Sequence, residues 1–297
     1  VAKKSMMNPQ IVYGEDILSR ITYSLTNKDG LGKMSKAIVD RINSLLEALA
    51  EEARLATGDL IDMVLVGNTV MHHIMLSIDP GYVGRVPFVP AFKCGMDIKA
   101  RDLGLKINKG SYVHWLPLEA GFVGADNIAV LIAEEPYRQE EAMLIIDIGT
   151  NGEIVLGNRE RLFSTSCATG PALEGSHIKY GMRAAFGAIE GVMIDPQTKI
   201  PRMKIIGQDG WFKAADKPLA RGICGSGIID VCAEMFKSGI IERTGRFNQQ
   251  IRNPRVRRGA DGKMEYVLCY AGETAIGRDI TVTQGDIRAI QLAKSAL

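Results

Sequence analysis

The sequence has no C-x-x-C pair, although five cysteines (Cys94, Cys167, Cys224, Cys232 and Cys269) are spread along its 297 residues. Neither a zinc ribbon nor a cysteine-ligated iron–sulfur cluster is encoded locally, and the thiols read as buried or idle groups in a reducing compartment. No apolar run approaches the roughly 20 residues that cross a bilayer, and no basic-then-apolar leader is present, which predicts a soluble, cytoplasmic protein without a membrane partner. An excess of one charge is missing too: 36 basic against 34 acidic residues leave a net charge of +2. That is too little for the broad positive field of non-specific nucleic-acid binding, so no nucleic-acid partner is expected. Histidine is scarce, with four in all. His72 and His73 are adjacent and point to different faces of a helix, unlike an i, i+4 zinc pair, and a structural role is expected of them.

With 46% hydrophobic residues, the chain can bury a substantial core, and its length suits one large domain or two smaller ones. Ile17, Ile21 and Leu25 recur at helical spacing after Glu15 and Asp16, which suit a helix's first turn. A second helix runs through KAIVDRINSLLEALAEEA from Lys36, with Gly58 as its stop. IDMVLV, residues 61–66, has strand length and turns at Gly67-Asn68-Thr69 into a short helix. Residues 80–112 read as an irregular excursion. Order resumes in HWLPLEAGFVGADNIAVLIAEEP, and the charged stretch 136–141 predicts a boundary between lobes 1–138 and 139–297. The second half opens with MLIIDI, EIVLG and RLFSTSC, three strands of an antiparallel meander. LARGIC-GSG-IIDVCAEMF is a strand-turn-helix whose Ile228, Val231, Cys232 and Met235 share one face. Thr283 and Asp286 match a capping box ahead of a last helix that buries Ile287, Ile290 and Ala293. The pattern is mixed α/β. Because the sequence opens on Val1 and stops at Leu297 inside a helical pattern, a fragment truncated at both ends is expected.

Three motifs carry candidate chemistry. In Asp147-Ile148-Gly149-Thr150-Asn151-Gly152, the turn offers main-chain N–H groups without obstructing Cβ atoms, and Asp147 stands where a carboxylate can hold a Mg²⁺-bound water beside phosphates. An ordinary N-G hairpin fits the same residues. Gly225-Ser226-Gly227 opens a helix whose N-terminus favours phosphate, or else serves tight strand-to-helix packing. Glu119 and Asp126 either flank a cleft, one of them orienting an attacking water, or face solvent on a closely packed helix. Arg288, Gln291 and Lys294 form a polar stripe on the last helix, as its wet face or as the lining of an adenine pocket. Arg252, Arg255, Arg257 and Arg258 form a basic loop, either a solvated turn or a docking patch for an acidic partner.

The order of these pieces resembles the actin-like, ribonuclease H-like ATPase superfamily, a two-lobed fold. LPLEAGFVGADNIAVLI looks like its inter-lobe helix, with Glu119 in the hydrolytic position. IIDIGTNGEIVL looks like its second phosphate hairpin, carrying Asp147, Gly149, Thr150, Asn151 and Gly152. CATGPALEG looks like the loop after the third strand, and Gln291 and Lys294 fall on the helix that touches the base. The wording NPQxxYGEDILSRI, LVGNTVMHH, GFVGADN, DIGTNGE, ATGPALEG, RGICGSGIID and DIRAIQLAKSA spans nearly the whole chain. It resembles the C-terminal domain of the reductive activators of corrinoid proteins.

That resemblance implies ATP and Mg²⁺ as cofactors and a corrinoid protein as partner. By the same resemblance, ATP is expected to close the lobes and drive electron transfer that returns a Co(II) corrinoid to Co(I). The resemblance implies that the electrons come from an N-terminal [2Fe–2S] domain outside this sequence, so no iron–sulfur cluster is expected in the chain itself. The family's first D-x-G-T hairpin and its Gly-Gly adenosine motif are missing from these residues, and the isolated fragment is expected to be inactive. A small-molecule kinase of the same superfamily, and a nucleotide-binding docking module without turnover, are the competing readings; a homodimer is compatible with all three.

Overall fold

A computed structural model of the chain describes residues 2–14, 16–213, 216 and 219–297. The chain divides into two compact units, Val1–Ile145 with Val155–Ser166, and Ile146–Ile154 with Cys167–Leu297. Among the described residues no helix is long and apolar enough to cross a membrane.

In the first unit, helix α1 spans Ile17–Thr26 and begins at Asp16, whose carboxylate accepts the Ser19 N–H at 2.8 Å. Asp16 is thus the N-cap residue itself; Glu15 lies outside the described residues. Helix α2 spans Gly30–Ala53, starting ahead of Lys36 because Gly30 permits close approach to α1: a Cβ there would lie 2.6 Å from the Tyr23 carbonyl oxygen. Its stop is Arg54, in the left-handed region at φ 58°, and Gly58 falls instead in a following 3₁₀ turn. Strand β1 (Asp62–Leu65) leads into helix α3 (Thr69–Met75), which Asn68 caps by accepting the Met71 N–H at 2.9 Å.

The stretch read as irregular contains strand β2, Met96–Lys99, which pairs antiparallel with β3, Tyr112–Trp115; β1 lies parallel to β3, giving the order β1-β3-β2. Helix α4 spans Ala125–Glu134. Leu46, Met75, Val113 and Trp115 belong to one buried cluster, and Ile21, Met34, Val70 and Ile74 to another.

Both adjacent histidines are buried. The His73 ring is fixed as one tautomer: Nε2 accepts the Ala91 N–H at 3.0 Å, so Nδ1 carries the proton and donates to the Thr69 carbonyl at 2.7 Å. His72 packs edge-on to Trp115 at 4.6 Å between ring centroids, and neither of its ring nitrogens has a partner among the described residues. Burial, and to a lesser degree His73, pulls its pKa down to about 4. The unfolded chain, with a histidine pKa near ~6.5, takes up the proton first. Stability from neutral His72 is therefore intact above about pH 6.5 and falls on acidification toward pH 4, by roughly 2 kcal/mol between pH 7 and 5. Urea melts at the two pH values should show that loss in the wild type, and His72→Leu should lose less by about this amount.

Strands β4 (Met143–Ile148), β5 (Gly152–Gly157) and β6 (Leu162–Cys167) form a sheet in that order. Their connections are too short for parallel crossovers, so the strands run antiparallel, the expected meander. In the second unit, β7 (Ala188–Ile194), β8 (Pro201–Ile205) and β9 (Phe212–Lys213) pair antiparallel in series, while β10 (Gly222–Ile223) adds parallel to β7. Helix α5, Gly225–Lys237, follows β10 and buries Ile228, Val231 and Met235.

A second sheet, β11 (Val256–Arg258), β12 (Met264–Cys269) and β13 (Ile280–Thr283), leads into helix α6, Gln284–Ala296. The Thr283/Asp286 capping box is present as read. One core joins these pieces: Ile189, Met203, Ile205, Val231, Tyr266, Leu268 and Ile287 are all buried in it.

Candidate functional site

In the first unit the two quoted stretches GNT and GFVGADN pack together. Ala125 and Asp126 N–H both donate to the Gly67 carbonyl, at 3.1 and 3.3 Å, and Thr69 Oγ1 donates to the Ala120 carbonyl at 2.7 Å. Gly124 has to be glycine, because a Cβ would lie 2.7 Å from the Thr69 nitrogen. Glu119 is held by buried Asn127, whose Nδ2 donates to Glu119 Oε1 at 2.8 Å, while Asp126 Oδ1 accepts the Asn127 N–H at 3.0 Å. Asn127 thus positions Glu119 and contacts Asp126. It stands inside the GFVGADN motif, but its role arises only once the loop folds back onto the first turn of α4.

In the second unit, Asp147 is exposed near the end of β4, and the turn after it is tied from one side. Thr169 Oγ1 donates to the Gly149 and Thr150 carbonyls at 2.8 and 2.9 Å, and the Gly170 N–H donates to the Thr150 carbonyl at 2.9 Å. In a trans peptide the C=O and the following N–H point in opposite directions. The N–H groups of Thr150 and Asn151 therefore point away from the 167–170 loop, side by side along the turn. Thr150 Oγ1 in turn donates to Glu174. A Cβ at Gly152 would lie 2.3 Å from Leu297 Cδ2, a contact that rotation of that side chain relieves, and 3.1 Å from Thr169 Cγ2.

Glu174 ends a 3₁₀ turn, Pro171–Glu174. Its neighbour Leu173 meets the start of α5: a Cβ at Gly225 would lie 2.0 Å from the Leu173 carbonyl oxygen, and one at Gly227 would lie 2.1 Å from that of Ile189. Close backbone packing accounts for both glycines. It also joins the Gly149–Gly152 turn and the Gly225–Gly227 turn through adjacent residues of one short element. Ser226 Oγ lies 3.4 Å from the Cys224 thiol. Gly225→Ala should shift the 3₁₀ turn and destabilise the protein by about 1–3 kcal/mol; a melting temperature equal to wild type would show that the turn yields freely.

Gln291 and Lys294 line a cavity of about 440 Å³ between α5 and α6, walled by Ile229, Phe236 and Ile290 and rimmed by Glu242 and Arg243. Gln291 Nε2 donates to the Thr244 carbonyl at 3.2 Å, and its Oε1 is enclosed with no partner among the described residues. Gly245, at φ 77°, lets that turn pass beneath it. Arg288 is not part of this cavity and faces others on α6. Of the basic loop, Arg257 binds Glu265 and Asp279, and Arg255 donates to the Val267 and Leu268 carbonyls. Both are structural rather than free for docking.

Thr169 and Glu174 carry no role that the sequence alone assigns, although both lie in CATGPALEG. Among the described residues no cluster of three or more metal-ligating side chains is present, and no disulfide is formed.

Residues 141–297 match the family model described as the C-terminal domain of RACo, the ASKHA domain, which gives the fold its class: a mixed α/β domain of the actin-like type. Residues 1–139 match the model of the RACo middle region, and the chain belongs to the RACo family. It is 37% identical, over 99% of its length, to the corrinoid activation enzyme RamQ of Eubacterium limosum, and covers 48% of that protein. It is 33% identical, over 41% of its length, to the [Co(II) methylated amine-specific corrinoid protein] reductase of Methanosarcina barkeri, covering 24% of it. A solved structure of a reductive activator for corrinoid, iron-sulfur protein superposes with a TM-score of 0.83 at 38% identity, over 97% of this chain and 44% of that one. The chain thus spans less than half the length of each of these relatives.

Proposed function

We propose that this chain is the nucleotide-binding part of an ATP-dependent reductive activator, which returns a Co(II) corrinoid protein to Co(I) with one electron from an iron–sulfur domain outside residues 1–297. The observation that carries the reading is the turn after β4. Its carbonyls are taken by Thr169 and Gly170, which leaves the Thr150 and Asn151 N–H groups directed away from that loop, an arrangement suited to phosphate oxygens. Asp147 beside it would hold a Mg²⁺-bound water. The cavity at Gln291 and Lys294 has apolar walls for a flat base and an amide oxygen still to be satisfied, which suits the exocyclic amine of adenine.

The substrate class, a corrinoid protein, follows from the relatives, which are activators or reductases of such proteins. Magnesium-bound ATP would supply free energy equal to its difference in affinity between two states of the protein, and no more. Asn127 would hold Glu119 ready to orient water, and Glu174 would hold Thr150 at the phosphates.

Thermal melting with a non-hydrolysable ATP analogue tests nucleotide binding. At a hundredfold excess over Kd, stabilisation of about 2.7 kcal/mol is expected. An unchanged melting temperature at millimolar analogue and Mg²⁺ would contradict the proposal.

A further inference from the structure

Four cations from four separate elements converge on one cavity of about 380 Å³ in the second unit: Arg246 from the turn before β11, Arg258 from β11, Lys263 from the β11–β12 connection and Arg288 from α6. None of the four forms an ion pair among the described residues, and no carboxylate lines this cavity. The neighbouring cavity on the other side of Arg288 differs in this respect, for Asp261 and Asp286 line it together with Lys179. The α6 N-terminus adds little, since Thr283 caps it and the Asp286 carboxylate already stands in its first turn, accepting the Thr283 N–H.

Solvated cations on a convex surface diverge. Four that bound a concavity raise one another's potential, and the apolar floor of Phe247 and Met264 focuses it. Two or more anionic groups on one small molecule relieve that repulsion, and the planar guanidinium forks of three arginines suit phosphate or carboxylate oxygens in pairs. The volume lies within the range of small-molecule sites. We propose that this cavity binds a small polyanion carrying at least two phosphate or carboxylate groups. The site shares no lining residue with the cavity at Gln291 and Lys294. The two are nonetheless linked, because Gln284 holds the Gly245 carbonyl and the Phe247 N–H while Gln291 holds Thr244.

Calorimetric titration with inorganic pyrophosphate tests the proposal. One equivalent is expected to bind, with affinity falling as salt rises. The double variant Lys263→Gln/Arg288→Gln, both positions exposed, should keep the wild-type melting temperature and weaken binding by at least about tenfold. Arg246→Gln supplies a second, independent variant with the same expected direction. No heat of binding at millimolar pyrophosphate would overturn the proposal. So would binding that both variants leave unchanged and that an ATP analogue displaces, because pyrophosphate would then be occupying the turn at Thr150 and Asn151.

Discussion

Asp147→Ala, made in a full-length protein of this family that contains this chain, should leave binding of the Co(II) corrinoid protein intact while lowering ATP-stimulated reactivation by about a hundredfold, the rate equivalent of roughly 2.7 kcal/mol. Asp147 is exposed, near the end of β4 and two residues before Gly149, so its removal takes no core packing with it. The turn itself is anchored elsewhere, by Thr169, Gly170 and Glu174. The variant should thus fold as wild type and lose only what the carboxylate would do for the metal and the phosphates in the proposed role. Reactivation is followed by the loss of the Co(II) corrinoid absorbance with and without ATP. Undiminished stimulation would remove Asp147 from the site.

Glu265→Ala should produce the largest loss of stability. Glu265 is 4% exposed and accepts from Lys179 Nζ at 2.9 Å, Thr281 Oγ1 at 3.0 Å and Arg257 at 3.1 Å. Burial pushes its carboxyl upward, yet the hydrogen bonds from Lys179, Thr281 and Arg257 together outweigh it and hold the group below the usual glutamate range. Lys179 and Arg257 are themselves half-exposed, so the stranded cations rehydrate and the cost stays below that of a sealed ion pair. The lost charge-assisted bonds leave an expected destabilisation of about 3 kcal/mol, or on the order of 5–10 °C in melting temperature. Glu265→Gln should cost less, keeping the shape and the Thr281 bond. The depressed carboxyl also fixes a sign: its contribution is complete above the unfolded value near ~4.3 and disappears as pH falls through the lower folded value.

Much of the framework around the second unit's candidate site was legible because its signals are local. MLIIDI followed by GTNG marks a strand and a turn, GSG followed by a 3.6-residue repeat marks α5, and Thr283 with Asp286 marks the start of α6. The sheet beneath them was not legible. Strand β7 carries a bulge between Ile189 and Gly191, which breaks the two-residue alternation by which a strand is read, and its buried residues are set by β8, β10 and α5 rather than by its own pattern. Helix α2 starts earlier than its spacing suggests because Gly30 and Gly32 resemble loop residues until Gly30 packs against α1. The supporting residues of the site share this non-local character. Thr169 meets Thr150 across 19 positions and Glu174 does so across 24, and no spacing rule along the chain connects them.

The account turns on whether the Thr150 and Asn151 amides receive phosphate oxygens, and ¹⁵N-resolved NMR on titration with Mg²⁺ and a non-hydrolysable ATP analogue observes them directly. Their amide resonances should shift downfield with saturation, together with the Gln291 side-chain amide. A nucleotide that binds while the Thr150 and Asn151 amides keep their free positions would contradict it.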